Sequence, residues 1–294
     1  MTVAGPDTTL GAQPPPAGQG GALGPDGNAG APARPRFRFR IDAAALVLTV
    51  LVTLTLLMFV LVEPSPRWLL VFAAAIAVLG VDGALRARRE PGGEPPAAID
   101  TIPFLFLPAL FAVAAPLLIE HNARGYAVIP SAVAAGVAFG AIAVAAPLSV
   151  TERGRTYAVA RLVATSGAYF AAFALFSLVY VFDLGPRAAV GAVALAATML
   201  AVEVLREGRV DALETLVFSA VTGLVLGEVR WALHYLPVDG YLAGLTLVLA
   251  FFFVSGLLNA HLTRRLDVAL ALEYVVIVGL GIALVVLARA GGAA

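Results

Sequence analysis

Residues 43–62 read AAALVLTVLVTLTLLMFVLV, an apolar run without a single charged residue. At about 1.5 Å per residue, a helix of this length crosses a hydrocarbon core of roughly 30 Å. A buried strand would not continue this far without a break, and a membrane β-barrel strand would alternate apolar with polar residues. The run therefore predicts a membrane-spanning helix.

Eight further runs of similar length and apolarity follow along the chain. They are residues 68–85, 102–119, 126–148, 162–182, 188–205, 216–236, 241–260 and 268–288. The chain is 61% hydrophobic and 13% charged, against about 45–50% and about 25% in soluble domains. So little polar surface cannot cover a water-soluble globule, and lipid must form part of the solvent. We predict an all-α polytopic transmembrane helix bundle with nine spans in a lipid bilayer.

The first 40 residues have a different composition. They are rich in Gly, Pro and Ala and contain almost no large apolar residue before Phe37. Such a segment cannot bury enough surface to offset the entropy lost on ordering. We expect residues 1–40 to be a disordered cytoplasmic tail and residues 41–294 to form the transmembrane domain.

The arginines predict the orientation of the spans. With the N-terminus in the cytoplasm, the inner side holds fourteen arginines and the outer side four. The inner set is Arg34, Arg36, Arg38, Arg40, Arg86, Arg88, Arg89, Arg153, Arg155, Arg161, Arg206, Arg209, Arg264 and Arg265, and the outer set is Arg67, Arg124, Arg187 and Arg289. Cytoplasmic loops carry the excess of basic residues in membrane proteins. The C-terminus is then outside. Since lysine is absent and Ala and Gly are abundant, as in GC-rich bacterial genomes, the expected location is a bacterial plasma membrane.

Several classes of function are disfavoured by composition. The chain has no cysteine and a net charge of zero, which excludes disulfides and thiolate metal sites and gives no sign of nucleic-acid binding. It contains no phosphate-binding loop, zinc-protease motif or nucleophile elbow. Three histidines without clustered carboxylates predict no metal site, and we expect no cofactor.

Two acids lie where the second and sixth spans end. Asp82 and Glu203 are followed three or four residues later by Arg86 and Arg206. Acid–arginine pairs at this spacing are ordinary on helices, and side chains there reach the interface. We predict an ion pair at each position and keep both acids as candidate site residues at the cytoplasmic rim.

The seventh span holds the most informative polar residues. Glu228 and Arg230 are offset by about 200° around a helix, so they cannot pair with each other and each needs a partner on another helix. Ionisable residues inside spans are rare and are candidates for function. We predict that both face the bundle interior. The candidate intramembrane site comprises Glu228, Arg230, His234 and, in the ninth span, Glu273.

The same residues can also be explained by purely structural roles. Arg230 could reach outward to the headgroups, with His234 at the interface. Glu273 lies roughly 8 Å into its span, where a structural ion pair with Arg264 or Arg265 is equally compatible with the sequence.

Two glycine pairs at small-xxx-small spacing predict close helix contacts. They are Gly136 with Gly140 and Gly223 with Gly227. Such pairs let a neighbouring backbone approach. The neighbour is either a helix of the same chain or another protein, so these four glycines are also the candidate contacts for a protein partner or a homo-oligomer.

An internal duplication is one further hypothesis. Spans two and six both end in an acid followed by arginine, and spans four and eight both lead into arginine-bearing loops. A four-span unit preserves orientation between copies, giving a parallel repeat as in some transporters. Ala/Val/Leu-rich sequence also aligns with itself by chance.

Residues 203–208 (EVLREG) and 226–237 (LGEVRWALHYLP) resemble a family of bacterial multi-pass membrane proteins that is defined only as a domain of unknown function. The likeness covers roughly spans two to nine. It implies a compact helical bundle and no particular activity.

Three functions remain open. A small-solute or ion carrier is favoured by the intramembrane charges, and a structural or assembly subunit requires no chemistry at all. A membrane-embedded enzyme acting on a lipid or polyprenyl substrate ranks behind both, because such enzymes cluster acids around Mg²⁺. The catalytic residues of such an enzyme are unknown here.

Overall fold

The computed structural model describes residues 43–87, 101–151, 154–206, 212–236, 238 and 240–292. These residues form nine α-helices and two short 3₁₀ turns, at Ile102–Phe104 and Gly125–Ala127. The helices are α1 (Ala43–Leu61), α2 (Trp68–Ala87), α3 (Phe106–Asn122), α4 (Val128–Thr151), α5 (Arg155–Val181), α6 (Pro186–Leu205), α7 (Ala212–Leu233), α8 (Gly240–Leu262) and α9 (Val268–Gly292). Residues 1–40, the predicted tail, lie outside this range.

The prediction of nine spans in an all-α fold is confirmed. Within the described residues, nine helical segments are long and apolar enough to cross a membrane. A helix satisfies its backbone hydrogen bonds internally, which a segment in lipid requires. The protein is therefore a multi-pass membrane protein, and its successive helices run up and down through the bundle.

The helix boundaries differ from the predicted spans most clearly in α5. This helix begins at Arg155, seven residues before the apolar run that starts at Leu162. Apolarity marks the part of a helix that contacts lipid, whereas the helix itself continues into the polar rim. Arg161, predicted to lie in a loop, is consequently a helical residue and is buried.

Two groups of four helices share one pattern of packing. In the first group α1 packs on α2 and α4, and α3 packs on α2 and α4. In the second group α5 packs on α6 and α8, and α7 packs on α6 and α8. The groups meet where α3 and α4 contact α5. Such matching rings are what the hypothesis of a parallel four-span repeat requires.

The glycine pairs pack within the chain. A methyl group on Gly136 or Gly140 of α4 would overlap Thr53 or Thr49 of α1. In α7, a methyl group on Gly223 would overlap Thr198 of α6, and one on Gly227 would lie 3.4 Å from Ala194. Since helices of the same chain occupy both glycine surfaces, the expectation that they bind another protein is not supported.

The last helix is peripheral. α9 packs mainly on α8, with Gly256 of α8 against Tyr274 and Leu249 of α8 against Gly281. Only 6% of the most apolar 18-residue stretch of α9 is buried within the protein. The remaining faces of α9 present apolar side chains outward, as expected for a helix in contact with lipid.

Candidate functional site

A buried ionic cluster lies at the end of the bundle that carries most arginines. Glu203, in the last turn of α6, is 2% exposed. Its carboxylate accepts from Arg206, with Nη2–Oε1 at 2.7 Å and Nε–Oε2 at 3.0 Å. Arg161 of α5 lies on the other side, with Nη1 3.5 Å from Oε1. The predicted pair of Glu203 with Arg206 is confirmed, and Arg161 joins it.

Arg161 also caps helix α6. Its Nη1 donates to the backbone carbonyl of Glu203 and its Nη2 to that of Val204, each at 3.1 Å. The last carbonyls of a helix lack intrahelical partners and carry partial negative charge. A guanidinium donor satisfies both requirements, so this contact holds the ends of α5 and α6 together.

Arg206 is enclosed by neutral groups as well. Its Cζ lies 3.5 Å from the ring centroid of Phe104, and its Nη2 is 3.4 Å from Ser149 Oγ. Burial lowers the pKa of the Arg206 guanidinium, and the negative charge of Glu203 offsets part of that effect. An arginine stays protonated in proteins, so the cluster combines two cations with one anion. Its donors are mostly directed at groups of the protein, which favours a structural role.

Asp82 forms the other predicted rim pair. Arg86 Nε lies 2.7 Å from Asp82 Oδ2, and the arginine side chain is 48% exposed. The Asp82 side chain is 22% exposed, so the pair is half-buried and contributes less to stability than a fully buried pair. Like Glu203, Asp82 is paired where the sequence predicts it.

The opposite end of the bundle carries a smaller polar group. Glu120, near the end of α3, accepts from Ser65 Oγ at 2.6 Å and from Arg67 Nη1 at 3.2 Å. Arg67 is mostly exposed. These contacts tie the turn between α1 and α2 to α3. Sequence analysis missed them because the partners are more than fifty positions apart along the chain.

The structure separates the four residues of the predicted intramembrane site. Arg230 is buried, at 4% exposure, whereas Glu228, His234 and Glu273 are exposed. The prediction that Glu228 faces the interior is therefore wrong: α7 packs on α6 and α8 through one side only, and a residue offset by about 200° from Arg230 must lie on the other side. Glu273, near the start of α9, is at the opposite end of the bundle from Arg230.

Arg230 has an aromatic partner on another helix. Its Cζ lies 4.1 Å from the ring centroid of Tyr180, near the end of α5. A cation above an aromatic face is attracted by the negative charge of the ring face. The predicted requirement for a partner on a different helix is thus met by a tyrosine, not by a carboxylate.

A cleft of about 1100 Å³ formed mainly by α3, α4 and α5 is large enough to hold a ligand. Ordinary ligand pockets occupy roughly 300–1,000 Å³. Among the described residues, its polar lining residues are Asn122, Ser131, Ser166 and Tyr241. The apolar lining residues are Phe111, Ala115, Leu118, Ile119, Ala123, Ala134, Ala135, Ala138, Ala141, Ile142, Leu162, Val163, Gly167, Phe170 and Phe173. None of the described residues that line this cleft is charged.

Small side chains on α4 create this space. Ala134, Ala138 and Ala141 lie on one face of the helix and are exposed on the bundle surface. On α5, Leu162 and Phe170 form the facing edge and are exposed too. The cleft therefore opens sideways, toward the region that lipid occupies in a membrane.

The cleft has a polar and an apolar end. At the end opposite the ionic cluster, the Tyr241 hydroxyl donates to Asn122 Oδ1 at 2.6 Å and so joins α8 to α3. The apolar end lies beside Leu162 and Val163. Along α4 the lining runs from Ser131 to Ile142, roughly 16 Å at about 1.5 Å per residue, or about half of a hydrocarbon core.

Sequence analysis did not find the cleft or Tyr180. A row of alanines on α4 was visible, but it predicts close packing as readily as an open groove. Among the described residues, no group of three or more His, Asp or Glu is placed to hold a metal ion. The lining also offers no acid, base or cation for catalysis.

Comparison with known proteins gives a family without an assigned activity. No curated protein and no solved structure matches the chain. A family model described as "Protein of unknown function (DUF5656)" matches residues 47–288, which include most of every described helix. The chain belongs to the DUF5656 family.

Proposed function

We propose that the protein is a lipid-binding membrane protein that holds a long hydrocarbon chain of a membrane lipid in the cleft between α3, α4 and α5. The observation that carries this proposal is the chemistry of the lining, which is apolar except for two serines and the Asn122–Tyr241 pair at one end. An apolar lining gives an ion or polar solute nothing to replace its hydration. A hydrocarbon chain needs no such replacement.

The length and opening of the cleft support the same occupant. Its extent of roughly 16 Å along α4 corresponds to one leaflet of a core about 30 Å thick. A transmembrane helix from a partner protein would need about 20 residues and would cover the full thickness. The lateral opening lets a lipid enter without leaving the bilayer, and the Asn122–Tyr241 pair marks the end for its headgroup.

The structure favours lipid binding over a small-solute carrier and over a lipid-modifying enzyme. A carrier for small solutes would be favoured if Glu228, Arg230 and Glu273 lined one interior path, but Arg230 is buried and both glutamates are exposed. A lipid-modifying enzyme would need reactive groups beside the chain. The lining residues are alanines, other apolar residues, serines, an asparagine and a tyrosine.

We also propose that the arginine-rich end faces the cytoplasm of a bacterial cell, because basic residues accumulate on that side of membrane proteins. The lipid would then belong to the outer leaflet, since the Asn122–Tyr241 pair lies at the other end. The direction of the chain in the bilayer can be tested independently of the cleft.

Photo-crosslinking tests the occupant. The full-length protein is reconstituted in nanodiscs with a phospholipid that carries a diazirine in one acyl chain. We expect labelling concentrated in peptides of α4 and α5 around Ala138 and Ser166. Ala138→Phe should fill the cleft and remove that labelling, whereas Ala283→Phe, at an exposed alanine of α9, should not.

Two results would overturn the proposal. One is labelling spread evenly over the exposed faces of all helices, α9 included. The other is labelling of α4 and α5 that Ala138→Phe leaves unchanged in a folded protein.

A further inference from the structure

Arg230 is a buried cation that forms no salt bridge within the part of the chain that the structure describes. It lies one turn before the end of α7 and is 4% exposed. The nearest acid in sequence, Glu228, is exposed on the other side of the helix. Among the described residues, no carboxylate forms a salt bridge with the Arg230 guanidinium. Burying a charge is costly unless it is paired and hydrogen-bonded.

Several donors near Arg230 have no acceptor. Within the described parts of the chain, neither Nε nor Nη1 of Arg230 has a hydrogen-bond partner of acceptable geometry. The Tyr180 hydroxyl lies near enough to interact with the Arg230 guanidinium, but it too lacks a well-oriented hydrogen-bond partner there. The Tyr180 ring attracts the guanidinium through its face, 4.1 Å from Cζ, but a ring face provides no acceptor in the plane of the Nε–H and Nη1–H groups. A guanidinium can only donate, while a phenolic hydroxyl can donate or accept.

A helix N-terminus lies next to Tyr180. α8 begins at Gly240, and a methyl group on Gly240 would lie 3.4 Å from Tyr180 Cβ. The first N–H groups of a helix have no intrahelical acceptor and carry partial positive charge. The N-terminus of this 23-residue helix therefore lies beside the backbone end of Tyr180, and a helix N-terminus and a guanidinium both favour an anion.

We propose that Arg230, Tyr180 and the N-terminus of α8 form a binding site for a small inorganic anion of the size of chloride. The anion accepts from the guanidinium and from the Tyr180 hydroxyl, and it supplies the negative charge that Arg230 lacks. The near-complete burial of Arg230 restricts the site to a small ligand. A phospholipid headgroup is too bulky to reach this guanidinium without exposing it. This site does not depend on lipid binding in the cleft.

Anion-dependent stability tests the site. The full-length protein is purified in a neutral detergent without chloride, and its thermal unfolding is followed while sodium chloride replaces sodium gluconate at constant ionic strength. Chloride should raise Tm progressively, because a ligand at concentration c that binds only the folded state stabilises it by RT ln(1 + c/Kd), which grows with the logarithm of concentration above Kd. Gluconate is too large to enter the site.

Three variants locate the effect. Tyr180→Phe keeps the ring beneath the guanidinium and removes one donor, so the Kd for chloride should rise about tenfold. Arg230→Gln should abolish the response. Arg187→Gln, at an exposed arginine on the same end of the bundle, should retain it. If Arg230→Gln does not fold, the Kd for chloride of the Tyr180→Phe variant alone tests the proposal.

The proposal fails if chloride and gluconate act alike on the wild-type protein, or if Tyr180→Phe responds to chloride with an unchanged Kd. It also fails if only added anionic phospholipid, and not chloride, raises Tm. That result would assign the guanidinium to a lipid phosphate.

Discussion

Arg161 of α5 donates from a single nitrogen to both the backbone carbonyl and the carboxylate of Glu203, at 3.1 and 3.5 Å. One side chain thus contacts the charge of Glu203 and the carbonyl end of helix α6. Arg206 holds the same carboxylate from the other side. The anion at position 203 is therefore the centre of the contact between α5 and α6.

Glu203→Gln should destabilise the folded protein strongly. The substitution keeps the size of the side chain but leaves Arg161 and Arg206 without a negative partner in a buried site. Removing one member of a buried ion pair costs about 3–5 kcal/mol. Thermal unfolding in detergent should show a large fall in Tm.

Asp82→Asn is the matched control for that variant. It also removes an acid from an arginine pair at the same end of the bundle, but the Arg86 side chain is 48% exposed. Pairs with one partner in solvent contribute about 0–1 kcal/mol, so Tm should fall much less than in Glu203→Gln. Equal losses in the two variants would show that burial does not distinguish the pairs.

Gly136→Leu should prevent α1 from packing on α4, because even a methyl group at this position would overlap Thr53. Overpacking a tight contact costs about 1–3 kcal/mol or more. Gly279→Leu in α9 is the control, since its surroundings are open. Size-exclusion chromatography and thermal unfolding should show a loss of folded protein in the first variant alone. A folded Gly136→Leu protein that has merely lost an oligomeric state would place this glycine at a contact between chains.

Glu228→Gln should leave stability within about 0.5 kcal/mol of the wild type, as for most exposed positions. The carboxylate lies about one turn before exposed Trp231, and tryptophan is typical of the membrane interface. Thermal unfolding measured in nanodiscs is the appropriate test. A fall in Tm comparable to that of Glu203→Gln would mean that another protein covers this side of α7.

Phosphatase fusions test the direction of the chain. Alkaline phosphatase is active only outside the cytoplasm, so fusions after Pro66, Asn122 and Gly185 should be active. Fusions after Gly92, Arg155 and Arg209 should be inactive, because the arginine-rich loops are expected inside. Activity of the Gly92 fusion would reverse the proposed orientation.

The spans were predictable because lipid imposes one simple requirement. A helix such as α1 must be apolar along its whole length, and that property is visible without knowing its neighbours. The true start of α5 was not predictable in this way. Residues 155–161 are too polar to count as a span, yet they contain no proline and only helix-compatible residues, so the helix simply continues through Arg161.

The polar sites were only partly predictable, for reasons of geometry. Glu203 and Arg206 pair within one helix turn, which sequence spacing shows directly. Two other contacts join different helices: that of Arg230 with Tyr180 and that of Tyr241 with Asn122. They depend on how the helices pack, which the spacing of residues along the sequence does not show. The offset of about 200° between Glu228 and Arg230 did indicate that the two residues could not both be buried. A helix with one packed side can bury only one of two residues placed so far apart.

The single line of contact between α8 and α9 makes the last helix a separable module. The eight preceding helices already form two complete rings without it, so α9 adds one further crossing of the membrane while contributing little to the interior. A chain that stopped after Arg265 would keep both rings and present its terminus on the arginine-rich side. Length variation at this point could therefore move an attached domain from one compartment to the other while the rest of the molecule stayed as it is.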